Sequence, residues 1–128
     1  MSETRVIVKI KNNFSIPVKC TSIPCAEFKD LKVNHVIEAH SEAVFQSDSN
    51  DRLFCEWRNT DGGFWQMAMT CPKGSSNSAC GISPTAGLRM YDPKGTPANF
   101  EYILGEDNLA DWKSGDENNG DIVDWAKC

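Results

Sequence analysis

Residues 52–70 read RLFCEWRNTDGGFWQMAMT, and this stretch decides the fold. Two apolar, aromatic-rich runs, RLFCEWR and FWQMAMT, flank the connection Asn59-Thr60-Asp61-Gly62-Gly63. An Asp-Gly pair inside so short a connection predicts a β-hairpin, because such turns need a positive φ that glycine adopts freely. Side chains alternate across a strand, so Leu53, Cys55 and Trp57 share one face of the first run. Trp65, Met67 and Met69 share the matching face of the second, and these six residues predict the core of a sheet.

The flanking sequence carries the same signal. Residues 4–11, TRVIVKIK, place Val6, Val8 and Ile10 on one face and Arg5, Lys9 and Lys11 on the other, the period-two pattern of a half-buried strand. Asn12-Asn13 predicts a turn, after which Ile16, Val18 and Cys20 alternate again, with Pro17 marking an edge or a strand start. Residues 33–47 fit a short helix or two short strands, and the β-branched and aromatic Val36, Ile37, Val44 and Phe45 favour strands. CPKGSSNSACG, residues 71–81, is a loop by composition. GLRMY and NFEYIL predict two more strands separated by Asp92-Pro93-Lys94-Gly95, a turn pattern. From Gly105 onward the chain is polar and acidic, with a last short strand or turn expected at 121–125. Short strands punctuated by turns predict an all-β, antiparallel sandwich or barrel, one domain spanning residues 1–128.

The chain has 128 residues, 40% hydrophobic and 24% charged, with a net charge of -5, which is globular in balance and unfavourable for a phosphate backbone, so nucleic acid is not an expected partner. No stretch approaches the roughly 18 apolar residues of a membrane-spanning helix. Met1-Ser2-Glu3-Thr4 has neither the basic nor the apolar region of a signal peptide, so a leader is either not part of the protein or has been removed. Six cysteines, Cys20, Cys25, Cys55, Cys71, Cys80 and Cys128, permit fifteen pairings and predict disulfides and a secreted destination. Spacing favours Cys71–Cys80 and Cys20–Cys25, leaving Cys55–Cys128; zinc ligation and buried thiols are the other readings. The acidic GDENNGDIVD of residues 115–124 lacks an Asp at the first ligand position of an EF-hand, and no metal or other cofactor is expected.

Chemistry is sparse. On a strand, Glu38, His40 and Glu42 would share a face, and Glu56 and Arg58 with His40 would complete the set of a small ribonuclease. The competing reading is a solvated polar face. No phosphate-binding glycine loop, nucleophile elbow or zinc-protease motif occurs. Trp112 and Trp125 sit among polar residues, where an indole either plugs the end of a sheet pair or anchors a ligand or lipid headgroup.

The hairpin and the loop after it resemble the aegerolysin family. Asp61-Gly62 fits the family's turn, and Cys71-Pro72, Gly74-Ser75 and Asn77 fit its C-P-x-G-S loop at matching spacing. The opening strand TRVIVKIKNNFS is similar too, while Met69 and Lys73 stand where the family carries tryptophans. The resemblance implies an actinoporin-like β-sandwich that binds membrane lipid, often sphingolipid, and permeabilises bilayers with a larger pore-forming partner. It makes Lys73, Ser75 and Asn77, with Trp112 and Trp125, the expected ligand-binding residues of a non-enzymatic cytolysin or toxin component. A disulfide-rich lectin, defence protein or effector is the main alternative, and the small ribonuclease the second.

Overall fold

The computed structural model describes residues 3–24, 27–71, 73–74, 78–82, 89–91, 96–104 and 117–118, of which 78–82, 89–91 and 117–118 enter as backbone. Within them the chain is all-β, with no helix. The strands are β1 (Val6–Asn12), β2 (Val18–Ser22), β3 (Val36–Ile37), β4 (Glu42–Ser47), β5 (Leu53–Arg58), β6 (Phe64–Thr70), β7 (Ser78–Ile82), β8 (Arg89–Tyr91), β9 (Ala98–Leu104) and β10 (Glu117–Asn118). They form two sheets, one ordered β4-β1-β9 and the other β10-β8-β7-β6-β5-β2-β3.

The predicted hairpin is the centre of the larger sheet. β5 and β6 pair in an unbroken antiparallel register from Leu53 opposite Met69 to Arg58 opposite Phe64, which sets Trp57 across from Trp65. The six residues expected in the core are all buried. Its five-residue turn is tied by one side chain: Asn59 Oδ1 accepts from the backbone N–H groups of Asp61 at 3.0 Å and Gly63 at 2.9 Å. Gly62 sits at φ 82, where a side chain would be strained. Gly63 is needed for a different reason, since a Cβ there would come within 2.7 Å of the Trp65 ring and 2.9 Å of the Asn59 amide.

β1 supplies the middle of the smaller sheet, with Val6, Val8 and Ile10 fully buried as the alternation requires. Each such aliphatic side chain contributes roughly 1.5–3 kcal/mol on burial. Side chains of the two sheets meet in one core: the Phe45 ring of β4 stacks on Trp57 of β5 at 6.2 Å, and Tyr102 Oη of β9 donates to the Ala68 carbonyl of β6 at 3.1 Å. Asn12 closes one end of the core. Its Nδ2 donates to the carbonyls of Ile16, Ile37 and Glu38, while its Oδ1 accepts from Phe14 N–H, so one buried amide ties β1 to the following turn and to β3.

Four expectations need correction. The assembly is not wholly antiparallel: β1 and β9 run parallel, from Val6 opposite Ala98 to Asn12 opposite Leu104. Parallel partners are joined by long connections, so nothing local in the sequence marks the pairing. Second, residues 78–81 of the expected loop belong to β7, which pairs with β6 from Thr70 opposite Ser78 to Gln66 opposite Ile82. Third, Glu38, His40 and Glu42 do not line a strand face. Residues 39–40 form a turn, with His40 at φ 55 and its N–H donating to the Phe14 carbonyl, so the alternation breaks between β3 and β4.

The fourth concerns the cysteines. Cys80 stands opposite Ala68, three residues before Cys71 along the chain. At about 3.3 Å per residue that offset is roughly 10 Å, beyond the ~7 Å Cα separation a disulfide tolerates, so Cys71–Cys80 is not formed in this structure. The Cys71 sulfur instead lies 4.0 Å from Arg5 Nη2 and 3.6 Å from Thr96 Oγ1. Cys20 and Cys55 are free thiols buried in the core, so the Cys20–Cys25 and Cys55–Cys128 bridges are not formed in this structure either. Cys25 and Cys128 lie outside the described residues.

Candidate functional site

Alternation that sends Cys55 and Trp57 inward sends Glu56 and Arg58 outward, and on this outer face the larger sheet assembles its most organised polar group. Glu56 Oε1 accepts from Thr21 Oγ1 of β2 at 2.6 Å and from Arg58 Nε at 2.9 Å, and Oε2 accepts from Gln66 Nε2 of β6 at 2.7 Å. Three adjacent strands therefore fix one carboxylate. Burial pushes its pKa up, but the hydrogen bonds from Arg58, Thr21 and Gln66 and the Arg58 charge overcome that and bring it down to about 2. The guanidinium is held in turn: Nε is bonded to Glu56, and the Phe64 ring lies 5.7 Å from Cζ, within cation–π range. The Glu56 contacts raise the Arg58 pKa further above its ordinary value.

Beside this rack a cleft of about 260 Å³ opens between β2, β3 and the end of β5. Pro17 and Val36 form its apolar wall, and Lys19 and Arg58 bring positive charge to it. Thr21, Asn59 and Thr60 complete the lining. Lys19 is the cross-strand partner of Arg58 on one side and of Val36 on the other. Two like charges directly opposite each other destabilise a sheet, so this pairing is a cost carried by the fold. Val36 is 42% exposed, one of three large hydrophobic side chains among the described residues left open to solvent.

Comparison with protein-family models, with curated proteins and with solved structures finds no match. Among the residues expected to bind ligand, Lys73 is exposed in the β6–β7 connection, its backbone N–H donating to Asn50 Oδ1 at 3.3 Å. It lies beyond the far end of β6 from Phe64, roughly 20 Å from the Arg58 end of the sheet by strand length. Ser75, Asn77, Trp112 and Trp125 lie outside the described residues.

The residues singled out for a ribonuclease are partly united. Glu56 and Arg58 are bonded, whereas no hydrogen bond or ion pair among the described residues joins His40 to either of them. His35, the other histidine, packs edge-on against Phe45 at 5.1 Å and Trp57 at 6.3 Å, capping the aromatic core. Sequence reasoning missed Lys19, Thr21, Gln66 and Val36. Their outward direction could have been read from alternation; which strand lies beside β5 could not. No group of three His, Cys, Asp or Glu side chains among the described residues is arranged to hold a metal ion.

Proposed function

We propose that the protein is a non-enzymatic lipid-binding component of the aegerolysin type, built as a β-sandwich from its two sheets. It recognises a sphingolipid-like headgroup on a membrane surface and acts with a larger pore-forming partner. The observation that carries this reading is the cleft beside β5, which pairs an apolar wall with a guanidinium bonded through Nε to Glu56. That is the combination an amphipathic headgroup requires, and recognition sites generally join a mostly apolar lining to a few placed polar groups.

The Glu56 carboxylate supports binding over catalysis. A group with a pKa of about 2 and three hydrogen bonds neither takes nor gives a proton readily near neutral pH, so it serves to orient its neighbour. With no helix among the described residues long and apolar enough to cross a membrane, attachment in this reading is through surface contacts. Trp112 and Trp125 are the proposed interfacial anchors, and Lys73, Ser75 and Asn77 belong to a second contact region. The net charge of -5 disfavours adsorption driven by anionic lipid, so selectivity should follow headgroup and sterol content.

Co-sedimentation with vesicles of varied headgroup, run beside a glycan array, tests the proposal. Binding to sphingomyelin–cholesterol vesicles that Trp112→Ala weakens, with the fold intact, supports it. Binding to glycans with no vesicle binding would replace it with the lectin reading.

A further inference from the structure

We propose that the cleft between Lys19 and Arg58 binds a phosphodiester monoanion, with the anion across the two basic side chains and its organic group against Pro17 and Val36. The assignment rests on the lipid-binding reading for its setting, and its chemistry comes from the charge count and geometry of the cleft.

Lys19 and Arg58 face each other across β2 and β5, and Glu56 offsets one of the two positive charges. Lys19 makes no ion pair among the described residues, so the cleft keeps one uncompensated positive charge. A phosphodiester carries one negative charge over the whole neutral range and would leave the site balanced. A phosphomonoester carries nearly two.

Geometry points the same way. The Nε side of Arg58 is committed to Glu56, which is itself held by Thr21 and Gln66. The Nη amino groups make no hydrogen bond among the described residues and form the edge left for an outside acceptor. A guanidinium held in this way loses little side-chain freedom on binding, and it matches two oxygens of one phosphate in bidentate fashion. Lys19 adds a point charge from the neighbouring strand. The exposed Val36 and Pro17 beside it give the ester's organic group an apolar surface, a use that a simple inorganic anion would not have.

The test uses the whole chain and glycerophosphocholine, a soluble phosphodiester, followed by amide chemical shifts, with inorganic phosphate and choline chloride as comparison probes. Vesicles of sphingomyelin and cholesterol, beside vesicles of a neutral glycolipid lacking phosphate, form the second arm. Amide spectra and melting curves check that each variant is folded.

Glycerophosphocholine should shift the amides of Lys19, Val36, Arg58 and Asn59. Arg58→Gln and Lys19→Gln should each weaken its binding roughly tenfold or more, as expected for the loss of a charge-assisted contact. Lys29→Gln, which removes the same charge away from the cleft, should change nothing. Glu56→Gln is the sharpest variant: it makes the face more positive yet should weaken binding severalfold, because it releases Arg58. Tighter binding by Glu56→Gln would reduce the site to bulk attraction and overturn the proposal. So would an inorganic phosphate response equal to that of the diester, or no localised shift up to the solubility limit of the probe. Diester binding in the cleft without vesicle binding supports this site and removes the lipid reading. Vesicle binding that Arg58→Gln leaves unchanged keeps the lipid reading and removes this site.

Discussion

Arg58 lies two residues beyond Glu56 on the same face of β5, and its Nε meets Glu56 Oε1 at 2.9 Å, the shortest ion pair among the described residues. The bond joins neighbours along one strand, while Thr21 and Gln66 hold the carboxylate from the strands on either side. Because the folded pKa of Glu56, about 2, lies below its ordinary 4.5, the group contributes stability above pH 4.5 that is lost as pH falls toward 2. The melting temperature of the parent should exceed that of Glu56→Gln by a few degrees at pH 6, and the gap should close between pH 4.5 and 2. A gap that does not vary with pH would mean the carboxylate's charge contributes nothing.

The hairpin turn gives a second expectation. Gly63→Ala forces a Cβ against the Trp65 ring and the Asn59 amide that organises the turn. Urea unfolding should show a loss of about 1–3 kcal/mol, the usual cost of inserting a methyl into a packed site. Gly62→Ala, with open space around it but a φ of 82, should cost about 1 kcal/mol through backbone strain alone.

Arg5 is 6% exposed, and its Nε donates to the Cys71 carbonyl at 2.6 Å. Its carboxylate partner Glu3 is largely in solvent at 3.3 Å. The two ends of this ion pair should therefore respond differently. Arg5→Ala, which removes a buried charge-assisted hydrogen bond to the Cys71 carbonyl, should destabilise by about 1–3 kcal/mol, whereas Glu3→Gln should stay under about 1 kcal/mol. Equal losses in denaturant titrations would show that the exposed ion pair is what matters.

The thiols of Cys20 and Cys55 provide a chemical readout. Burial pushes Cys20 from 9.0 up to about 11 and pushes Cys55 up as well. For Cys20, the stability associated with keeping the thiol protonated is complete below pH 9 and is lost as pH rises from 9 through about 11. A thiol reagent at pH 8 should label neither residue in the native protein, and both after denaturation without reductant. Failure of the denatured, unreduced chain to react would restore the disulfide reading.

How much of this was legible in the sequence divides along one physical line. Whatever depends on a residue's immediate neighbours was readable: the β5–β6 hairpin from Asp61-Gly62, the inward set from Leu53 to Met69, and the strand character of 36–37 and 42–47. Whatever depends on which strand lies beside which was not. Glu56 and Arg58 stood out as a pair, but Thr21 reaches them only because β2 lies beside β5, with a bulge shifting the register between Cys20 and Ser22. Spacing made Cys71 and Cys80 look like a loop staple, because β7 was invisible in so polar a run. Of the expected ligand-binding residues, Lys73 falls at the opposite end of β6 from the cleft.

The parallel pairing of β1 with β9 imposes an order of events during synthesis. β4 can reach β1 as soon as residues 42–47 leave the ribosome, but the other flank of β1 stays open until residues 98–104 have emerged. A contact so distant along the chain is slow to close, because the loop entropy is lost before the strand pair forms. Until then Val6, Val8 and Ile10 belong to an unfinished ribbon with one unpaired edge, the kind of surface chaperones recognise. A nascent chain stalled before residue 98 should therefore remain protease-sensitive throughout, however well its central hairpin has formed.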